Sequence, residues 1–334
     1  MRLSLPTFPR PLDWLFLIVV AAVSMVLGLL LGFGPPQNSH LQVVPYFAMP
    51  MLLICSGTVR KMFPKLMAVL ALIIWVGLVL TVNAYATYVL AATNLPLWDG
   101  ALARFDQLFG LDHVGLRDSI GSNKWLSGIL VFAYVNTAQP LGLAAIFLLV
   151  RGEMERLKNT ISILSLSVAA TLILSALFPA IGAYPYFGMT TDHAPYLIHA
   201  PTNNWYGHYS ALRAGTMRAF PLDDWKAIID FPSFHAIYTL IALYAVAHIR
   251  PLAIASTAFS TIVLVSTIPI GGHYFADVLA GFVIWALAVR IVEAKSLSAI
   301  APSALWPSAY DTAHAWTSAL VSCVRNATQS SQAR

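Results

Sequence analysis

The chain is 334 residues long, 58% hydrophobic and only 10% charged, with a formal net charge of +5. Soluble domains carry about 25% charged and about 45–50% apolar residues, so this composition excludes disorder, a disulfide-stapled secreted scaffold and an ordinary cytosolic enzyme. With a mean hydropathy of +0.73, it describes an all-α polytopic membrane protein whose apolar excess is solvated by lipid.

A helix needs about 20 apolar residues to cross the hydrocarbon core. Runs of that order, free of Asp, Glu, Lys and Arg, cover 15–34, 41–59, 66–92, 125–150 and 159–179. Three more follow a long polar loop, over 233–248, 252–270 and 273–292, the last containing His273 and Asp277. The pattern predicts about eight transmembrane helices. The first run is too long for a signal-peptide core and no small-residue cleavage site follows it, so it reads as a retained anchor. Cys55 and Cys323, the two cysteines, fall in an apolar run and in the tail, which gives neither a disulfide framework nor a zinc site.

With an even number of spans both termini share a side. Placing them in the cytoplasm puts thirteen of the 19 Lys and Arg on inner segments and six on outer ones. The positive-inside rule therefore favours cytoplasmic termini in a plasma (inner) membrane. The surplus of basic residues reports topology, and no nucleic acid partner is expected. Two outer segments exceed simple turns. Within 93–123, Leu97, Leu102, Phe105, Leu108 and Phe109 alternate with Asp99, Arg104 and Asp106, a spacing that suits an amphipathic helix on the membrane surface. Segment 183–230 carries Trp205, Tyr206 and Trp225 for the lipid interface. The Ala- and Ser-rich stretch from about 298 onward reads as a cytoplasmic tail, and its Asn326-Ala327-Thr328 triplet, facing the cytoplasm, is not a glycosylation site.

Ionisable groups in or at the ends of spans are costly and need a reason. Phe231-Pro232-Ser233-Phe234-His235 opens the sixth span and Gly271-Gly272-His273-Tyr274-Phe275-Ala276-Asp277 opens the eighth, both on the outer face. His273 and Asp277, four apart, share a helix face, so the carboxylate can hold one imidazole nitrogen protonated and leave the other as nucleophile or base. Gly281 continues that stripe and admits a neighbouring helix. Two helix N-termini aimed at one spot would offer free backbone N–H groups to an anion, with Ser233 adding a hydroxyl; a phosphate suits the place.

These residues resemble the type 2 phosphatidic acid phosphatase superfamily. Pro232-Ser233-Phe234-His235 is similar to its P-S-G-H motif, and Ser266, His273 and Asp277 keep the spacing of its S-R-x5-H-x3-D motif. Phe234 replaces the glycine, Thr267 replaces the arginine, and the upstream K-x6-R-P motif is missing. The departures resemble the inositolphosphotransferase-like branch, which includes inositol phosphorylceramide and sphingomyelin synthases. The likeness runs over about 125–281 and leaves the first two helices uncovered.

The resemblance implies a six-helix phosphatase-type core and a division into N-terminal helices (1–64), a catalytic membrane region (65–296) and a tail (297–334). It implies that His273 attacks phosphorus to form a phosphohistidine, that Asp277 orients His273, that His235 protonates the leaving oxygen and then activates water or an acceptor hydroxyl, and that Ser233 helps bind phosphate. It implies no metal and no cofactor. The partners would be a lipid phosphate and a lipid or polyol acceptor. The phosphate needs cationic neutralisation, and Arg213 and Arg218, just ahead of the second motif, are the candidates; pairing with Asp223, Asp224 or Asp230 is the alternative. His193, His199 and His208 match no familiar metal spacing. His113 with Asp112 reads as a surface pair. Tyr134, Asn136 and Gln139 line a polar cavity or bond neighbouring helices. Hydrolysis of phosphatidate or a polyprenyl diphosphate, head-group transfer, and a non-catalytic transporter or scaffold are the competing functions.

Overall fold

A computed structural model describes residues 9–35, 62–189, 194–197, 205–222, 224, 226 and 228–299. Its twelve α-helices are α1 (Pro11–Leu30), α2 (Pro64–Ala92), α3 (Asp99–Gln107), α4 (His113–Gly121), α5 (Lys124–Val135), α6 (Gln139–Arg151), α7 (Met154–Leu177), α8 (Ala183–Tyr186), α9 (Trp205–Arg213), α10 (Phe234–Val246), α11 (Arg250–Thr267) and α12 (Phe275–Ala299). Among the described residues there is no strand beyond one isolated bridge between Gly34 and Ala219. Among the described residues five helices, α1, α2, α7, α11 and α12, are long and apolar enough to cross a membrane. The molecule is an all-α polytopic membrane protein. The expected span 41–59, both cysteines and the tail from residue 300 lie outside the described residues.

Two expected spans differ from the simple picture. The run 125–150 is not one straight helix: α5 and α6 meet at a 47° bend. Pro140 brings no N–H to the second half, while Asn136 Nδ2 donates to the Phe132 carbonyl at 2.8 Å and Thr137 Oγ1 to those of Ala133 and Tyr134 at 3.2 and 2.6 Å. Of these carbonyls, those of Phe132 and Tyr134 also accept the N–H groups of Asn136 and Thr137, so the side chains add second donors where the helix breaks. The run 233–248 yields α10, a helix of 13 residues. At 1.5 Å per residue it is about 20 Å long, short of a hydrocarbon core of about 30 Å.

The centre of the bundle is α10. It packs against α6, α7, α11 and α12 and is buried on all sides through Ile237, Leu240, Ile241, Tyr244 and Ala245. A helix apolar all round belongs in an interior. Non-helical backbone at membrane depth must be covered by protein, and Ile228, Asp230 and Ser233 ahead of α10 are indeed buried. At the opposite end of the bundle, α1 docks on α7 through polar groups: Ser162 Oγ donates to buried Asp13 at 3.2 Å, and Arg10 donates to Asn159 Oδ1 at 2.7 Å.

Candidate active site

The starts of α10 and α12 come together. Ser233 caps α10, its Oγ accepting from Ala236 N at 3.4 Å, and its own N–H donates to the Asp277 carbonyl at 3.1 Å. Gly281 makes this crossing possible. A Cβ there would lie 2.7 Å from the Ser233 carbonyl oxygen and 3.2 Å from Ala236 Cβ. Asp277 and Gly281 share this face of α12, while His273 stands in the turn two residues ahead of the helix and still reaches Asp277.

His273 is buried, and its Nδ1 meets Asp277 Oδ2 at 3.2 Å. The same Oδ2 accepts Tyr274 N at 2.8 Å, half of a capping box. His235 stands opposite, half-buried, with its ring centroid 5.7 Å from that of His273. Tyr134, at the end of α5 beside the bend, stacks on His235 at 4.0 Å. The bend thus delivers an aromatic wall to one catalytic candidate.

The sequence reading missed Asp230. Its Oδ1 lies 3.4 Å from the same His273 Nδ1, and the residue is buried. No spacing rule links a loop carboxylate to a histidine 43 positions on. Asp230, His273 and Asp277 bring three polar atoms within 4.8 Å of one another, a spacing open to a shared proton or to a cation.

Helix α3 also carries more than its pattern promised. Asp99 accepts Ile181 N at 3.1 Å, Gly182 N at 2.9 Å and the Tyr274 hydroxyl at 3.0 Å. Burial pushes the Asp99 carboxyl above its ordinary range, and those donors pull it part of the way back. Asp106 accepts Phe275 N at 2.7 Å, Ala276 N at 3.1 Å and His113 Nε2 at 2.8 Å. Both aspartates are buried. Two expectations change accordingly. The first N–H groups of α12 are held by Asp277 and Asp106, so they are not free for an anion. His113 is no surface pair: it is buried against Asp106, while Asp112 accepts Gly115 N at the start of α4.

The other candidates are placed as follows. Ser233 is fully buried with its oxygen engaged as a helix cap. Arg213 Nη1 donates to the Leu95 carbonyl at 3.0 Å, and its guanidinium lies 5.7 Å from the Tyr209 ring. The Arg218 guanidinium lies against Gly32, just beyond the C-terminal end of α1. Among the described contacts neither arginine bonds His235, His273 or Asp277. A different cation is tied to the His273 turn: buried Arg117 lies 5.7 Å from the Tyr184 ring, and that ring packs on Gly272. The Tyr184 hydroxyl donates to the Pro269 carbonyl. His208 Nδ1 meets the Tyr88 hydroxyl at 2.7 Å; His193, His199 and Asp223 lie outside the described residues.

His235, His273, Asp106, Asp230 and Asp277 all fall within a stretch matched by a known family. The model described as the PAP2 superfamily matches residues 100–291. No curated protein and no solved structure matches the chain. The match spans more than half of the chain and contains His235, His273 and Asp277, so the protein belongs to the PAP2 superfamily of phosphatase-type lipid phosphate enzymes.

Proposed function

We propose that this protein cleaves a lipid phosphate ester or diphosphate through a phosphohistidine at His273, and that it passes the phosphoryl or phosphorylated head group to an acceptor. The observation that carries the reading is the pair of rings 5.7 Å apart, one of them bonded through Nδ1 to Asp277. One phosphoryl group reaches both.

The chemistry balances in two steps. The His273 Nε2 lone pair attacks phosphorus, the bond from phosphorus to the leaving oxygen breaks, and protonated His235 gives that oxygen its proton. Water or an alcohol then attacks phosphorus and yields its proton to His235, and the P–N bond breaks. Asp277 keeps the His273 proton on Nδ1 throughout, so that Nε2 is the nucleophile. Arg213, Arg218 and the Ser233 hydroxyl are our candidates for holding the phosphate oxygens. The termini are cytoplasmic and the site opens on the outer face, in keeping with the distribution of Lys and Arg. Region 65–296 is the catalytic part.

Transfer to a lipid or polyol hydroxyl, as in the inositolphosphotransferase-like branch, is favoured by Phe234 and Thr267 at the two departures from the hydrolase motifs. Hydrolysis of phosphatidate or a polyprenyl diphosphate is the second reading, because its first step is identical. The test incubates purified protein with phosphatidate, a polyprenyl diphosphate and phosphatidylinositol, each with and without diacylglycerol or ceramide. Mass spectrometry distinguishes free phosphate from a new lipid. His273→Ala is expected to abolish either product while the protein still inserts and folds. Wild-type turnover in that variant refutes the mechanism, and a folded wild-type protein that turns over none of the panel favours a non-catalytic role.

A further inference from the structure

The His273 imidazole has one Nδ1 and two carboxyl groups within reach of it. Asp277 Oδ2 lies at 3.2 Å and Asp230 Oδ1 at 3.4 Å. The two carboxyl groups come from different elements, the loop ahead of α10 and the first turn of α12, and an oxygen of each lies within 4.8 Å of the other. Both are almost completely enclosed, at 4% and 0% exposure. Asp230 Oδ2 and Asp277 Oδ1 are buried without a donor among the described residues. Asp230 is also held tightly in place. Gly182, at φ +84°, has no side chain, and a Cβ there would come 2.6 Å from Asp230 Oδ1.

Two carboxylates this close together and away from water do not both stay ionised. Asp99 and Asp106, the other buried carboxyl groups of this region, are occupied by donors of their own and offer none to the pair. A proton between the two side chains removes the repulsion and gives one of the unpartnered oxygens a donor.

We propose that Asp230 is a positioning residue that acts with Asp277 as a single carboxyl–carboxylate pair, sharing one proton and presenting one negative charge to His273 Nδ1. This rests on the reading of His273 as nucleophile. During attack Nδ1 keeps its proton, the ring acquires one positive charge as the P–N bond forms, and the pair supplies the one negative charge that balances it. The shared proton stays within the pair and none is lost to solvent. Because the charge belongs to the pair, replacing either aspartate by asparagine leaves the other ionised beside Nδ1. Replacing both removes the charge.

Infrared spectroscopy of the full-length protein in detergent at neutral pH tests this without a substrate. The wild type is expected to show a protonated carboxyl band that is absent from both Asp230→Asn and Asp277→Asn. If Asp230→Asn does not fold, Asp230→Glu replaces it, and the band is expected to shift in frequency. Turnover of dioctanoyl phosphatidate in mixed micelles provides the second readout. Each single asparagine variant is expected to lose about tenfold in kcat with KM unchanged, and the double variant to lose far more than the product of the two. A band retained in Asp230→Asn, or unshifted in Asp230→Glu, overturns the pair. So does a double variant no worse than Asp277→Asn, or turnover that needs an added divalent cation and stops with a chelator. If His273→Ala keeps full turnover, the reading of the nucleophile fails instead, whatever the carboxyl band does.

Discussion

Gly281→Ala probes the site without touching an ionisable group. The added Cβ would stand 2.7 Å from the Ser233 carbonyl oxygen and 3.2 Å from Ala236 Cβ, where ordinary contact begins at 3.4 Å. Helices α10 and α12 must therefore part by about 0.7 Å at their N-termini, because carbon atoms pack best at about 3.5–4.0 Å and the obstacle is backbone. Overpacking costs about 1–3 kcal/mol, while alanine in a helix interior regains about 1 kcal/mol over glycine. The net loss of stability is then about 0–2 kcal/mol, too little to unfold the protein. Turnover should suffer more. A misplacement of about 1 Å costs on the order of 100-fold, and parting the helices separates His235 from His273. We expect kcat to fall about 10- to 100-fold on that scale, with a small shift in thermal unfolding. Gly142→Ala on α6, where a Cβ would meet nothing within 4 Å, is the control and should keep its rate. Turnover of Gly281→Ala within about twofold of wild type would refute the claim that this crossing sets the distance between the rings.

Three further outcomes follow from the same geometry. Asp106→Ala leaves the buried His113 ring and the half-buried N–H groups of Phe275 and Ala276 without their acceptor; at about 1–3 kcal/mol for a buried orphan, a loss of about 1–3 kcal/mol is expected in thermal unfolding. Arg213→Ala and Arg218→Ala should each raise KM about tenfold with kcat held, the size of one charge-assisted hydrogen bond, and unchanged kinetics would remove either residue from the phosphate site. Burial raises the Asp99 carboxyl above its ordinary value of 3.8, so its contribution to stability is full below that value and is lost as pH rises through the raised one. Asp99→Asn should flatten that slope in a thermal-shift series, and an unaltered slope would count against the assignment.

Hydropathy alone located α1, α2, α7, α11 and α12, because lipid demands long apolar runs and nothing else in a chain produces them. It could not see the break at residues 136–138, since a window average is blind to one proline and to two side chains that cap carbonyls. It made α10 a full span because apolar residues surround it on every side for a different reason, contact with four other helices. His235, His273 and Asp277 were legible from spacing because each motif sits on a single helix start. Asp99, Asp106 and Asp230 were not. Their partners lie at positions 181 and 274, at 275 and 276, and at 273, and a carboxylate that bonds distant backbone reads locally as one more surface charge. Asp112 misled for the converse reason: adjacency to His113 suggested a pair, whereas it serves its own helix.

The turnabout of α3 has a mechanical consequence. Its carboxylates face inward to grip the backbone at Phe275 and the hydroxyl of Tyr274, while Leu108 and Phe109 beyond its end stand outward, at 81% and 59% exposure. Those apolar side chains seek the boundary between acyl tails and headgroups. The helix end that carries them is joined through Asp99 and Asp106 to the turn that carries His273. Under the mechanism proposed above, α3 then sets the depth at which the His273 ring meets a lipid phosphate, measured from the surface of the bilayer and not from its midplane.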